Sequence, residues 1–441
     1  LENKYYGLYS FISLLQFSYE HNEKILDKLE KPKIWNGNKH LILTSNSINQ
    51  LDLVGNNNFK YSSLLGILNN ASTAIGKRYL KDKLLNPVID NIELNKRYDY
   101  IEELLKKNAN EIYYYKEIET HLNKILDIER LHRRINLKQL HPADFTTLDI
   151  AYNNILNIMR HDVFNFKLKN ILLPKEDMDN FKEFIKEYNE LFDMDEVDKY
   201  HQNNINNSFF SKGKIKELDD LQEKLDDSRE YLKDLANKLS YYIEKNSEFV
   251  KIEHNDKEGY YLQTTKKRGE LLKKTFINMG WKKIKINNIS LDPKELDLKF
   301  LKDRTKITST SITQLSFKIS SLQDKVNRIT LEKFLDYLEL FSNKYGTTLN
   351  KLANFIGEID FYKSNAKSSI MFGYNRPKIV KDDNSFINAK GLRHPIIERI
   401  QTDVEYVPND ICLGNNQLNG MLLYGCNAVG KSSLMKAVGL N

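Results

Sequence analysis

The chain has 441 residues, of which 40% are hydrophobic and 29% charged; 67 Lys and Arg stand against 60 Asp and Glu, for a formal net charge of +7. No apolar run approaches the roughly 18 to 20 residues that a membrane-spanning helix needs, and only two cysteines, Cys412 and Cys426, are present, which excludes a disulfide scaffold and a cysteine-rich zinc site. Gly (18) and Pro (8) are scarce, and no proline occurs between Pro174 and Pro293, so the composition points to a mostly helical, strongly solvated chain of about two to four domains.

In chain order, the first 30 residues, with Phe11, Leu14, Leu15 and Tyr19 at helical spacing, predict one amphipathic helix ended by Pro32 and the Asn36-Gly37-Asn38 cluster. His40 to Leu43 reads as a short strand followed by a turn. Two helices are expected between Ser62 and Lys107, separated at Asn86-Pro87, because the residue before proline disfavours helix. Helical patterns continue over 111–136 and 142–160, and the Asn-rich stretch from Asn203 to Ser208 reads as a loop.

The clearest periodicity follows. Leu218, Leu221, Leu225, Ser228, Leu232, Leu235, Leu239 and Tyr242 alternate spacings of three and four, a heptad seam on a helix expected over about 214–244. A second seam runs through Ile312, Leu315, Ile319, Leu322, Val326 and Ile329, skips phase, and resumes at Leu331, Phe334, Leu338, Phe341 and Tyr345. Two long helices that bracket an insertion must pack antiparallel, since the chain returns to where it left.

Between the seams the period changes to that of strands, around Phe249–Glu253, Gly259–Leu262 and Ile284–Ile286, with turns at Asn255-Asp256 and Met279-Gly280. This β-containing tip is also basic. Residues 251–306 hold fifteen Lys or Arg against eight Asp or Glu, an excess that equals the net charge of the entire chain. Lys266, Lys267, Arg268, Lys273, Lys274, Lys282 and Lys283 form either the footprint of a polyanion such as DNA, bound through its phosphates, or a solvated face. Tyr260, Tyr261 and Trp281 fit the core of a small tip better than stacking platforms for bases.

Near the end, Gly425-Cys426-Asn427-Ala428-Val429-Gly430-Lys431-Ser432 satisfies GxxxxGK[ST], between an apolar strand expected at Met421–Tyr424 and a helix expected over 433–440. Backbone N–H groups of such a loop cradle the β-phosphate of ATP, Lys431 reaches the β- and γ-phosphates, and the Ser432 hydroxyl holds Mg²⁺. The nine histidines show no HExxH or other ligand spacing, no nucleophile elbow is visible, and no catalytic residue is assigned.

Arg393-His394-Pro395-Ile396-Ile397-Glu398, Tyr406-Val407-Pro408-Asn409-Asp410 and the P-loop together resemble the opening of the ATPase domain of MutS mismatch-repair proteins. The resemblance spans nearly the whole chain in order: Leu14-Leu15-Gln16-Phe17, Ile48–Leu53, Gly76-Lys77-Arg78, Leu84–Pro87, Ile128–Leu131 with Pro142-Ala143-Asp144, Gly259–Leu262 and Tyr374–Pro377. It implies a mainly α fold with a helical lever and core domain, long antiparallel helices, a small α+β clamp insertion and the beginning of a P-loop α/β ATPase domain. The implied divisions are 1–38 for the end of a connector and its linker helix, 39–210 for the first part of the core and lever, 211–310 for a long helix and clamp, 311–365 for returning lever helices, and 366–441 for a truncated ATPase part.

By the same resemblance, Gly425–Ser433 bind ATP, Ser433 standing where threonine is usual; Asn427 occupies the loop asparagine position, Tyr406 stacks on adenine, and His394 is structural. Ala428-Val429 in place of Met-Gly is similar to the branch in giant viruses and coral mitochondria, whose full-length members resemble MutS fused to an HNH nuclease. The implied partner is double-stranded DNA, mismatched or branched; a homodimer through a missing C-terminal part, an intracellular location and no membrane are expected. Without an acidic Walker B strand or a signature helix, the chain alone is expected not to hydrolyse ATP. The alternatives are a coiled-coil ABC-type chromosome-organising ATPase, whose P-loop precedes its coil, and a nucleotide-independent structural DNA-binding fragment.

Overall fold

The computed structural model describes residues 5–21, 26, 29, 40–55, 59–245, 247–255, 259–286, 289–382, 384–400, 403, 405–414 and 418–441, with backbone alone over 284–291. The fold is mainly α. Helix α1 (Tyr5–His21) forms, but Leu14 and Tyr19 of its apolar stripe stay exposed. The expected continuation of this helix toward residue 30 lies largely outside the described residues. His40 makes a single bridge to Val88 rather than a strand, because the run beside it finds no second strand to ladder with.

Nine helices follow among the described residues: α2 (Ser45–Gln50), α3 (Leu64–Leu68), α4 (Ala74–Leu85), α5 (Asn91–Leu104), α6 (Tyr114–Leu122), α7 (Ile128–Asn136), α8 (Asp144–Met159), α9 (Lys175–Leu191) and α10 (Met194–Val197). Their starts are written in the sequence as side-chain caps. Ser63 Oγ accepts the Gly66 amide, Thr73 Oγ1 the Gly76 amide, and Asp90 the amides of Ile92 and Glu93. Asn86-Pro87 separates α4 from α5 as expected.

Helix α11 (Lys216–Ile243) leads out to the tip and α13 (Thr310–Phe372) returns from it, capped by Ser309 at one end and by left-handed Gly373 at the other. The second seam with its phase skip, expected as returning lever helices over 311–365, lies on one uninterrupted helix of 63 residues, about 95 Å long at 1.5 Å per residue. Every position of the first seam is buried or half-buried, and α11 packs along α13. A hydrogen bond from Arg229 to Gln323 fixes the antiparallel register.

Two large apolar clusters result. The body cluster joins α4–α10 to the C-terminal two-thirds of α13 and includes Leu218, Phe145, Tyr152, Phe184, Phe334 and Phe341. The arm cluster joins Leu225, Leu232, Leu235 and Leu239 of α11 to Ile312, Ile319 and Val326 of α13 and runs on into the tip through Leu262, Phe276 and Ile307.

The body is closed by a buried polar knot. Asp360, fully buried, accepts from the Ser72 amide (3.0 Å), the Thr73 amide (2.7 Å) and the Thr73 hydroxyl (2.8 Å), and pairs with buried Lys363 at 3.0 Å. Lys363 also donates to the Asn70 carbonyl and to Glu119. The Asn70 amide donates to Ser364 Oγ at 2.8 Å, joining residues 294 apart in sequence.

Candidate functional site

The tip is a four-stranded antiparallel sheet in the order β1 (Lys251–Asn255), β2 (Gly259–Thr265), β6 (Arg304–Thr308), β5 (Asp297–Phe300), with a separate hairpin of β3 (Ile284–Ile286) and β4 (Ile289–Leu291). Where only turns and strands are expected after β2, the chain forms a helix, α12 (Lys266–Asn278). Its buried Gly269, Leu272 and Phe276 face the sheet, and a Cβ on Gly269 would fall 2.2 Å from Thr305 Oγ1, so the helix lies close against β6. Tyr260 and Trp281 pack against the arm cluster, in keeping with a core role, and Gly280 and Trp281 turn the chain at positive φ. Asp256, in the other expected turn, lies outside the described residues.

The seven basic residues singled out from the sequence do not share one environment. Lys266 and Lys267 are exposed in the first turn of α12, which contains no acidic residue, so their charges oppose the helix dipole. Lys273 and Lys274 are exposed further along, and Lys282 and Lys283 are exposed beyond the turn. Arg268 is different: half-buried, its guanidinium lies 3.6 Å from the Phe249 ring centroid, where it packs as well as charges.

Sheet register adds residues that sequence reasoning missed. Lys251 faces Gln263, Gln263 faces Lys306, and Lys306 faces Lys299, a row across all four strands. Lys251 and Lys299 are exposed, and the Lys306 ammonium sits 4.1 Å from the Tyr261 centroid. Lys302 and Arg304 stand exposed at the β5–β6 turn. Like charges directly opposite on neighbouring strands cost stability, and at the Lys306–Lys299 pair the Tyr261 ring offsets part of that cost. The segment's excess of lysine was visible; which lysines share a face depends on non-local pairing.

The second candidate is the loop 425–430 and α15 (Lys431–Leu440). Gly425, Ala428 and Gly430 have φ of 155°, 66° and 93°, positive values of the kind found where a loop turns its amides toward an anion. Ala428 holds a left-handed conformation that costs a residue with a Cβ about 1 kcal/mol or more. The loop residues are all exposed, Cys426, Asn427 and Val429 among them. The Lys431 ammonium donates to the Gly425 carbonyl at 2.8 Å and the Cys426 carbonyl at 2.5 Å, so it lies folded over its own loop. Ser432 is exposed and Ser433 half-buried in the first turn of α15, where amides lack intrahelical partners.

The strand expected at Met421–Tyr424 is not formed. Strands β7 (Ile387–Leu392) and β8 (Asn409–Leu413) pair with each other antiparallel and give residues 421–424 no ladder, and Leu422 and Tyr424 are 87% and 89% exposed.

Helix α15 is seated on the body. Lys436 pairs with Asp52 at 3.1 Å, Leu440 packs against the cluster of Leu53, Leu64, Ile67, Phe372 and Ile396, and Ala437 is buried against Leu392 and Ile411. A cavity of about 400 Å³ between them is lined by Asp52, His394, Ile397, Ser432, Ser433 and Lys436. Buried His394 accepts the Ile396 and Ile397 amides at Nδ1, both at 3.3 Å, a structural task at the start of α14 (Ile397–Ile400). Burial and the nearby Lys436 cation lower its pKa, which keeps the ring neutral. Tyr406 is half-buried beside His394 and Glu398, and burial first, then Glu398, raises its pKa. It therefore adjoins the cavity wall, not the loop itself.

The donor set suits ATP with Mg²⁺: loop amides and a lysine, once freed from its own carbonyls, would take phosphate oxygens, and a hydroxyl would take a cation. Among the described residues no group of three or more His, Cys, Asp or Glu could hold a metal ion; the Ser432 hydroxyl is the group of this loop that would reach a cation beside a bound phosphate.

Known proteins resemble the chain over nearly all of its length. Residues 46–366 match the family model for MutS domain III. A putative DNA mismatch repair protein mutS homolog of Acanthamoeba polyphaga mimivirus is 34% identical over the whole chain, which covers 43% of that protein. The mitochondrial DNA mismatch repair protein mutS homolog of Sarcophyton glaucum is 27% identical over 99% of the chain and 43% of its own length. The DNA mismatch repair protein MutS of Fervidobacterium nodosum is 26% identical over 94% and 45%, respectively. The chain thus spans less than half the length of these relatives.

Proposed function

Because the chain belongs to the MutS family, we propose that it forms the duplex-gripping body of an ATP-dependent DNA mismatch-repair protein. The observation that carries this reading is the cationic tip at the end of the α11–α13 arm, within the stretch that matches the family. Duplex DNA presents a regular array of phosphates; the row of Lys251, Lys306 and Lys299 on one face of the sheet, and Lys266, Lys267, Lys273 and Lys274 on α12 against the other face, supply contacts that position a backbone without reading sequence.

ATP with Mg²⁺ is the proposed cofactor pair. When bound, the nucleotide supplies a hydrolysable γ-phosphate and a change of charge at the start of α15. The chain's own residues hold it: the amides of Gly425–Gly430 and Lys431 take the phosphates, Ser432 holds the cation, and Ser433 lies next along the first turn. Lys431 must leave the carbonyls of Gly425 and Cys426 to do so. Tyr406 is proposed to border the base. From α15 the nucleotide state passes to the body through Lys436–Asp52 and the Leu440 contact, then along α13 to the tip. A homodimer, an intracellular location and action on mismatched or branched duplex belong to the same proposal.

Duplex binding measured over a salt series tests it. The parent chain should lose affinity steeply as salt rises, and a variant with K251Q, K299Q and K306Q, or one with K266Q, K267Q, K273Q and K274Q, should lose both affinity and slope. Parental affinity in both variants would exclude the tip as the grip.

A further inference from the structure

The arm and the body have separate apolar cores, and between them the packing passes to half-buried Leu221 of α11 and Ile329 and Leu331 of α13. Leu218 of α11 and Phe334 of α13 belong to the body; Leu225 and Val326 belong to the arm. Between them the α13 seam slips phase, and Thr330 at the slip is fully buried with an Oγ1 that has no hydrogen-bond partner. A buried orphan hydroxyl and a break in the knob pattern mark the least cohesive cross-section of the arm.

One segment spans this cross-section from outside. Residues 206–208 leave the body and reach both arm helices. Arg229 donates to Asn207 Oδ1 at 2.8 Å and to Gln323 Oε1; Gln323 donates to the Asn206 carbonyl; the Ser208 amide donates to Gln222 Oε1 at 3.1 Å. These contacts lie about one turn beyond the core boundary, on the arm side. Gln323 also donates to Asn327 Oδ1 at 2.7 Å, so its amide is held on both sides.

We infer that the arm is hinged at this boundary and that residues 206–208 are a latch that fixes its angle through Arg229 and Gln323. The bonds are polar, made to exposed or half-buried partners, and exchange readily with water, whereas the two cores on either side are rigid. Release of the latch lets α11 and α13 bend together near residues 219–224 and 327–333 while both cores stay packed. The inference stands apart from whatever the tip grips.

The experiment is a distance distribution between spin labels on the body (K182C, on α9) and on the tip (N278C, at the end of α12), in the full chain with C412S and C426S. The parent should give one narrow distribution. R229A, and separately Q323A, should broaden it severalfold or add a second distance, with helix content and melting temperature unchanged. R78A, which breaks the ion cluster of Arg78 with Asp127 and Glu129 in the body, should leave it narrow. Should R229A disturb folding, Q323A alone decides. Parental width in the folded latch variants, or equal broadening by R78A, would overturn the latch.

Discussion

His132 and Asp360 show how much rests on single buried polar groups. His132 is buried, with Nε2 on the Tyr152 hydroxyl at 2.8 Å, and burial pushes its pKa from 6.5 down to about 3. The ring stays neutral in the fold, while the unfolded chain binds a proton below pH 6.5. Its contribution is present in full above that pH and is lost as pH falls from 6.5 toward 3, with a slope of up to about 1.4 kcal/mol per pH unit. Urea melts of the parent and H132Q between pH 7.5 and 5 should show the parent losing stability faster on acidification; parallel curves would contradict this. For Asp360, removing one partner of a buried pair strands the other charge. D360A should cost about 3–5 kcal/mol in the same melts, with Glu119 absorbing part of the Lys363 charge. A loss below about 1 kcal/mol would mean that the knot carries little. Neither group was legible in the sequence, since each depends on partners 20 to almost 290 residues away.

At the scale of elements, what was legible is what local chemistry dictates. The two seams gave the faces of α11 and α13, Asn86-Pro87 gave the break between α4 and α5, and the GxxxxGK[ST] pattern located the loop before α15. Three things escaped. Helix α12 has a lysine-rich first turn and few apolar positions, so its period was hidden between strands. The unity of α13 was hidden by its phase skip, although its interior glycines, Gly346 and Gly357, are tolerated: a Cβ on Gly357 would press Tyr79 and Ile75 at 3.1–3.3 Å. The segment 421–424 has strand-like residues, but β7 and β8 satisfy each other and leave it no ladder. Separate cores also make a prediction for α13. I319A removes buried methylenes from the arm alone, and truncations of this kind cost about 2–5 kcal/mol. Hydrogen exchange should quicken in α11, α12 and the tip sheet while α8 and α9 keep their protection. Uniform acceleration would show that arm and body unfold as one.

For the whole molecule, the proposed chemistry is divided between the tip of the arm, in mid-chain, and the loop before α15. A P-loop seated on the body through α15, with Ser432 as the protein's cation ligand, should bind ATP without turning it over. The purified chain is expected to show no hydrolysis above background with saturating nucleotide and Mg²⁺, whereas K431A should weaken nucleotide binding at least tenfold; turnover abolished by K431A would refute the first expectation. The knot joining Asn70 to Ser364 bears on how such a molecule is made. Helices α3 and α4 complete their packing only against the last part of α13, 294 residues downstream. At synthesis rates of about 5–20 residues per second, they leave the ribosome roughly 15–60 s before their partner exists. Through that interval Ile67, Ile75 and Leu80 have nothing of α13 to cover them. A slowed codon stretch upstream of α13 lengthens that exposure and should lower the soluble yield while leaving the finished protein as stable as before.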